Sequence, residues 1–368
     1  MRTRTGLLVL LLFCQVLKAA DKDTTAHSFV YLQGSYGFII PHSKAIEPVS
    51  DSNPFGFEFG LSKLHTSYNS WLVFHSYWIS GIQAAYYNFQ NPSVLGSAFS
   101  LSLFAEPVIF RREKFLFTVR GGAGVSYQTE YYDEEENPTN QFFSTPISFQ
   151  LYVSAKFRYK VARNVFVSFS GNYNHISNGA VKQPNYGMNF PMLALGAEYS
   201  ALPFPSLSEN YKYPLGPPAK KVHFSAQLLT AFKVLSETET YPEKRVLVAG
   251  FNIGASKQIG HIYSLNTSAE LLFDGYVKEQ ASREGSDADY KRFSLAIGQA
   301  FTFGHVIFAQ SLGVYIYSPY EAPQPVYQKY ELGYMFKCGI MAGVHMKAYL
   351  KEADYMGFSV TWVINGKK

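Results

Sequence analysis

The chain has 368 residues and a formal net charge of only +5, not gathered on any identifiable face, so composition makes no case for nucleic acid binding. It is 17% aromatic and only 16% charged, heavier in rings and lighter in charge than a soluble enzyme of this length. Beyond residue 20 no run reaches the roughly 18 apolar residues a spanning helix needs, which excludes helical insertion. Strands that alternate between lipid and lumen average to neutral hydropathy and are not excluded.

The first 20 residues read as an export signal: Arg2 and Arg4 form a basic start, Gly6 to Val16 an apolar stretch, and Ala19 and Ala20 small residues for cleavage. An uncleaved anchor is the other reading. Cleavage would leave Cys338 as the one cysteine, so no intrachain disulfide could form.

From there the chain is a succession of period-two runs, each about the 9–11 residues of a tilted transmembrane strand. Phe115, Phe117, Val119, Ala123, Val125 and Tyr127 alternate with Thr118, Arg120, Gly122, Gly124 and Ser126. Ile147, Phe149, Leu151, Val153, Ala155, Phe157 and Tyr159 oppose Ser148, Gln150, Ser154, Lys156 and Arg158. Val165, Val167, Phe169 and Tyr173 oppose Ser168, Ser170, Asn172 and Asn174, and near the end Met356, Phe358, Val360 and Trp362 oppose Gly357, Ser359 and Thr361. A soluble β-sandwich also alternates. Charges in mid-strand on the non-aromatic face, at Arg120, Lys156 and Arg158, together with aromatics toward strand ends, favour a membrane barrel.

Link lengths alternate as well. Short links fall at Arg111 to Lys114, Val161 to Asn164, Gly260 and Gly304; long polar links fall at Pro41 to Asn53, Thr129 to Ser144, Asn178 to Met188, Gln280 to Asp289 and Pro319 to Tyr327. If the first strand runs outward, strand parity puts every long loop on the outer side, as in an outer-membrane barrel. The expected fold is therefore all-β: an antiparallel transmembrane β-barrel of the outer membrane with about 14–16 strands. About eight strands lie in residues 27–202 and about eight in 222–368, and the Pro-rich stretch 203–221 between them reads as a periplasmic linker. One wide barrel is favoured because a single closure removes all edges; two eight-stranded barrels in tandem are the alternative.

One segment stands apart. His175 and Ser177 continue the lipid-facing parity of Val165 to Tyr173, and Asn189 continues the apolar face of the return strand, Leu193, Leu195, Ala197 and Tyr199. Three polar side chains thus share an outward surface, where burial without a partner is costly. They read either as interfacial residues at the water boundary or as a nucleophilic site: Ser177 attacking, His175 as general base, Asn189 orienting the imidazole. Glu198 points by parity into the lumen, and the second half has no such cluster: His345 reads as an ordinary strand residue and residues 222–368 as non-catalytic. With one mature Cys and no His–Glu pair at helical spacing, neither metal nor cofactor is implied.

The stretch from His175 to Asn189, with its His-x-Ser-Asn, Pro184-Asn185 and Gly187, resembles the active-site strand pair of the lipid A 3-O-deacylase (PagL) family, acyloxyacyl hydrolase-like barrels of the bacterial outer membrane. The likeness covers roughly residues 27 to 202. It implies an outer-membrane serine esterase that cuts an ester-linked acyl chain from lipid A, with lipopolysaccharide and membrane lipid as partners, Ser177 as nucleophile and His175 as base. It also implies an oxyanion hole around Asn178, Gly179 and Asn185. The family often carries Glu where this chain has Asn189, which puts imidazolium stabilisation in doubt and brings the Glu134 to Glu136 loop forward as an alternative acid. A pore or structural barrel without catalysis is the rival reading, and the oligomeric state is open, a homo-oligomer included.

Overall fold

The computed structural model describes residues 27–179, 182–203 and 222–365, apart from 236, 321, 323, 350 and 351. The expected signal segment (1–20) and nearly all of the Pro-rich stretch (203–221) lie outside the described residues.

The chain divides into two compact units, residues 1–214 and 215–368. The first holds β1 (His27–Gly37), β2 (Phe55–His65), a short helix α1 (Tyr68–Phe74), β3 (Trp78–Asn88), β4 (Ser97–Arg111), β5 (Phe115–Gln128), β6 (Ile147–Ala162), β7 (Val165–Ser177) and β8 (Met188–Ser200). The second holds β9 (Val222–Leu235), β10 (Lys244–Gln258), β11 (Tyr263–Asp274), helix α2 (Gly275–Arg283), β12 (Lys291–Phe303), β13 (Val306–Tyr317), β14 (Val326–Met335), β15 (Ile340–Tyr349) and β16 (Glu352–Asn365).

Each unit is a closed antiparallel barrel of eight strands. The favoured single wide barrel is thus corrected to the tandem alternative. The deciding contact is backbone: β8 returns to β1, with Leu32 opposite Ala197, and β16 returns to β9, with Val360 opposite Leu228. Either arrangement removes edge strands, so edge protection alone could not choose between them.

Alternation sorts side chains as the sequence predicts. In the first barrel Leu151, Val153, Phe169, Leu193 and Leu195 are exposed on the outer face, while Arg120, Lys156, Arg158, Ser170 and Asn174 are buried in the lumen. The mid-strand charges meet there. Glu106 accepts from Arg120 Nε at 2.7 Å and from Arg158; Glu198 accepts from Arg158 Nε at 2.8 Å and Lys156 Nζ at 3.3 Å. Arg120 also donates to Tyr31 Oη at 2.7 Å, so these buried charges are paired, as charges removed from solvent must be. Two apolar clusters form inside this barrel: Trp71 of α1 is buried with Tyr77, Ile79 and Phe166, and toward the long loops Phe89, Phe142, Phe143, Ile176, Met188 and Phe190 are buried together.

The helices are departures from the strand-only reading. Ser67 caps α1, and Asp274 caps α2 by accepting from the N–H groups of Tyr276 and Val277, so α2 fills part of the Gln280 to Asp289 link. The second barrel carries its own lumen ion cluster, in which Glu270 accepts from Lys329 at 2.6 Å and Lys347 at 2.8 Å. His345 is buried inward there and stacks edge-on with Tyr355.

Candidate active site

Register builds the site. Antiparallel pairing of β7 with β8 sets His175 directly opposite Asn189, and pairing of β6 with β7 sets Ser177 beside Phe149. Directly opposed residues have Cβ atoms about 4.5–5.5 Å apart, within reach of an imidazole and a carboxamide. His175 Nδ1 lies 2.7 Å from Asn189 Oδ1, and His175 Nε2 lies 3.0 Å from Ser177 Oγ. Because Oδ1 only accepts, Nδ1 carries the hydrogen and Nε2 is left to accept from the hydroxyl. The three side chains lie on the outward parity of their strands, half-buried, at the end where the long loops gather.

The loop from residue 178 to 187 is held by its neighbours. Tyr186 N–H donates to Gln141 O and Gly187 N–H to Phe142 O, both at 3.1 Å, which ties this loop to the one joining β5 and β6. That loop is set in turn by Asp133, whose carboxylate accepts from the N–H groups of Glu135 and Glu136; these two donors hold the carboxyl below its ordinary range. Both ring nitrogens of His175 are already engaged by Asn189 and Ser177, which leaves no nitrogen for an acid from Glu134 to Glu136. Glu198 is in the lumen with Arg158 and Lys156.

The three residues expected around an oxyanion differ in their engagements. Asn178 is buried; its amide nitrogen donates to Ser144 Oγ and Lys182 O at 2.9 Å each, and its backbone N–H donates to Asn185 Oδ1 at 3.0 Å. Asn178 therefore braces the loop, and Asn185, oriented by that bond, keeps its Nδ2 group as a donor. Gly179 follows at φ +68°, with space beside it bounded by the Phe149 ring.

The whole chain meets known proteins in two places. Residues 56–198 match the family model described as lipid A 3-O-deacylase (PagL). Residues 222–366 match the model described as acyloxyacyl hydrolase, C-terminal domain. The chain belongs to this family. It is accordingly an outer-membrane β-barrel protein of a hydrolase family, and its second barrel is the family's C-terminal domain. Among solved structures, the outer membrane enzyme PagL matches at 16% identity over 47% of this chain and 99% of that one, with a TM-score of 0.32. Neisserial surface protein A matches at 12% identity over 47% of this chain and 96% of its own, also at 0.32. A Rhodopseudomonas blastica porin variant matches at 7% identity over 92% of this chain and all of its own, with a TM-score of 0.19. No curated protein matches the chain.

One residue at the PagL-like site left no mark in the sequence, and the reason for a second became visible only in the fold. His42, in the β1–β2 loop, has its Nδ1 3.4 Å from Asn189 Nδ2 and its Nε2 3.0 Å from the Tyr186 carbonyl. Nothing in a lone loop histidine marks that role. Gly187 was legible as part of a motif, yet its reason is tertiary: at φ +70° an added Cβ would stand 2.9 Å from His175 Cε1 and 3.0 Å from Ser177 Cβ. Among the described residues no group of three or more His, Cys, Asp or Glu side chains is placed to hold a metal ion.

Proposed function

We propose that this protein is a serine esterase that hydrolyses an ester-linked acyl chain of lipid A, with Ser177, His175 and Asn189 as its working residues. The observation that carries this reading is the unbroken hydrogen-bonded row Ser177–His175–Asn189 on the outward face. Such a row is costly to keep beside hydrocarbon unless it serves a substrate found there. A lipid embedded in the outer leaflet can present its ester to this surface without leaving the membrane.

The chemistry follows from the geometry. Ser177 Oγ attacks the ester carbonyl carbon as its proton passes to His175 Nε2. The carbonyl oxygen becomes an oxyanion, for which Gly179 N–H and the Asn185 amide are the donors in the adjoining loop. Collapse breaks the acyl–oxygen bond, and His175 returns its proton to the departing sugar oxygen. Water, deprotonated by the same nitrogen, then attacks the acyl-Ser177 ester and releases the fatty acid. Asn189 holds the Nδ1–H tautomer throughout but, being neutral, adds no charge to offset the imidazolium.

Purified protein in detergent micelles is incubated with lipopolysaccharide, and the recovered lipid A is weighed by mass spectrometry. Wild type should remove one acyl chain, and Ser177→Ala should remove none while still folding as a barrel on a heat-modifiability gel. Continued acyl release by Ser177→Ala defeats the assignment of the nucleophile.

A further inference from the structure

We propose that His42 is a positioning residue that selects the working orientation of the Asn189 carboxamide, a proposal that rests on the esterase reading above. A carboxamide in the orienting place raises a difficulty that a carboxylate would not. Its two ends are nearly the same size but opposite in hydrogen-bonding sense. With Oδ1 toward His175, the imidazole keeps its hydrogen on Nδ1 and offers a lone pair at Nε2 to Ser177. With the amide turned over, Nδ2–H would face Nδ1, the hydrogen would move to Nε2, and the base would be lost. Nothing inside the amide chooses between these states.

The surroundings choose. His42 Nε2 is 3.0 Å from the Tyr186 carbonyl oxygen, which can only accept, so this nitrogen carries the ring hydrogen. Tyr186 cannot shift freely, because its own N–H is bonded to Gln141 O and the next N–H to Phe142 O. With its hydrogen on Nε2, His42 presents a lone pair at Nδ1, and the group 3.4 Å away is the Asn189 amide nitrogen, which donates to it. Nδ1 also stands 3.3 Å from Ile40 O, but that contact is longer than the one at Nε2, and the tautomer serving it would face Asn189 Nδ2–H with another N–H. Every link therefore points one way: Ser177 donates to His175, His175 to Asn189, Asn189 to His42, and His42 to a backbone carbonyl that cannot reverse.

The test is a cycle of variants assayed for acyl release from lipopolysaccharide in micelles, with folding followed by heat-modifiable mobility. His42→Phe keeps ring bulk and removes the acceptor; kcat should fall roughly ten- to a hundredfold, within the worth of a general base, with KM changed less than about twofold. His42→Gln, whose side-chain carbonyl can accept the same N–H, should recover most of that loss. In an Asn189→Glu background both ends of the side chain accept, so the His42→Phe loss should shrink to about twofold or less. Full activity of His42→Phe overturns the proposal, as does an equal loss in the Phe and Gln variants. An undiminished His42→Phe loss in the Asn189→Glu background, measured against the Asn189→Glu single variant, overturns it too. Acyl release that survives Ser177→Ala instead sinks the esterase reading itself, so the two failures are told apart.

Discussion

Replacing Gly187 by Ala tests whether the site depends on backbone pressed against it. The glycine sits at φ +70°, where an L-side chain costs about 1–2 kcal/mol. Its new Cβ would also meet His175 Cε1 at 2.9 Å and Ser177 Cβ at 3.0 Å, against an ordinary carbon contact of about 3.5–4.0 Å. The loop or the pair must therefore give by roughly 0.5–1 Å, and a misplacement of that order costs up to about a hundredfold in rate. Stability should fall by about 1–2 kcal/mol and acyl release ten- to a hundredfold. Gly285→Ala separates the two effects: it carries the same kind of strain, at φ +67°, with nothing within 4 Å of the added carbon. Urea unfolding in micelles and initial rates of fatty-acid release are measured for both variants. The reasoning is refuted if Gly187→Ala keeps wild-type rates, or if Gly285→Ala loses activity to the same degree.

Two further expectations concern the lumens. Glu106→Ala leaves Arg120 and Arg158 buried without their shared carboxylate, and the first barrel should lose about 3–5 kcal/mol, read as a lower urea midpoint; an unchanged midpoint would mean that water enters the lumen and screens both guanidinium groups. Glu270→Gln removes the charge that pairs Lys329 and Lys347, and should lower the thermal stability of the second barrel by a similar amount while acyl release at low temperature is unchanged. Coupled loss of acyl release at low temperature would show that the second barrel's lumen bears on the first barrel's site.

Parity explains why so much of this site was legible. Side chains two apart on a strand share a face whatever the strand pairs with, so His175 and Ser177 had to lie together, and the apolar company of Val167, Phe169 and Tyr173 fixed that face as the outer one. The same rule placed Glu198, Arg120, Lys156 and Arg158 inward before any partner was known. Asn189 was within reach because hairpin neighbours pair locally, and its parity was readable from Leu193 and Leu195.

What the sequence determined by itself is therefore everything that depends on the two-residue repeat and on nearest-neighbour hairpins: strand positions, the two faces, and the outward pair of His175 and Ser177. Tertiary structure alone decided the rest. Closure after eight strands is a matter of which backbone edge meets β1, and edges carry no side-chain pattern that names their partner. His42 reaches Asn189 across 147 positions of chain, and Gly187 matters because two loops press together, so neither contact leaves a periodic trace in the residues that make it.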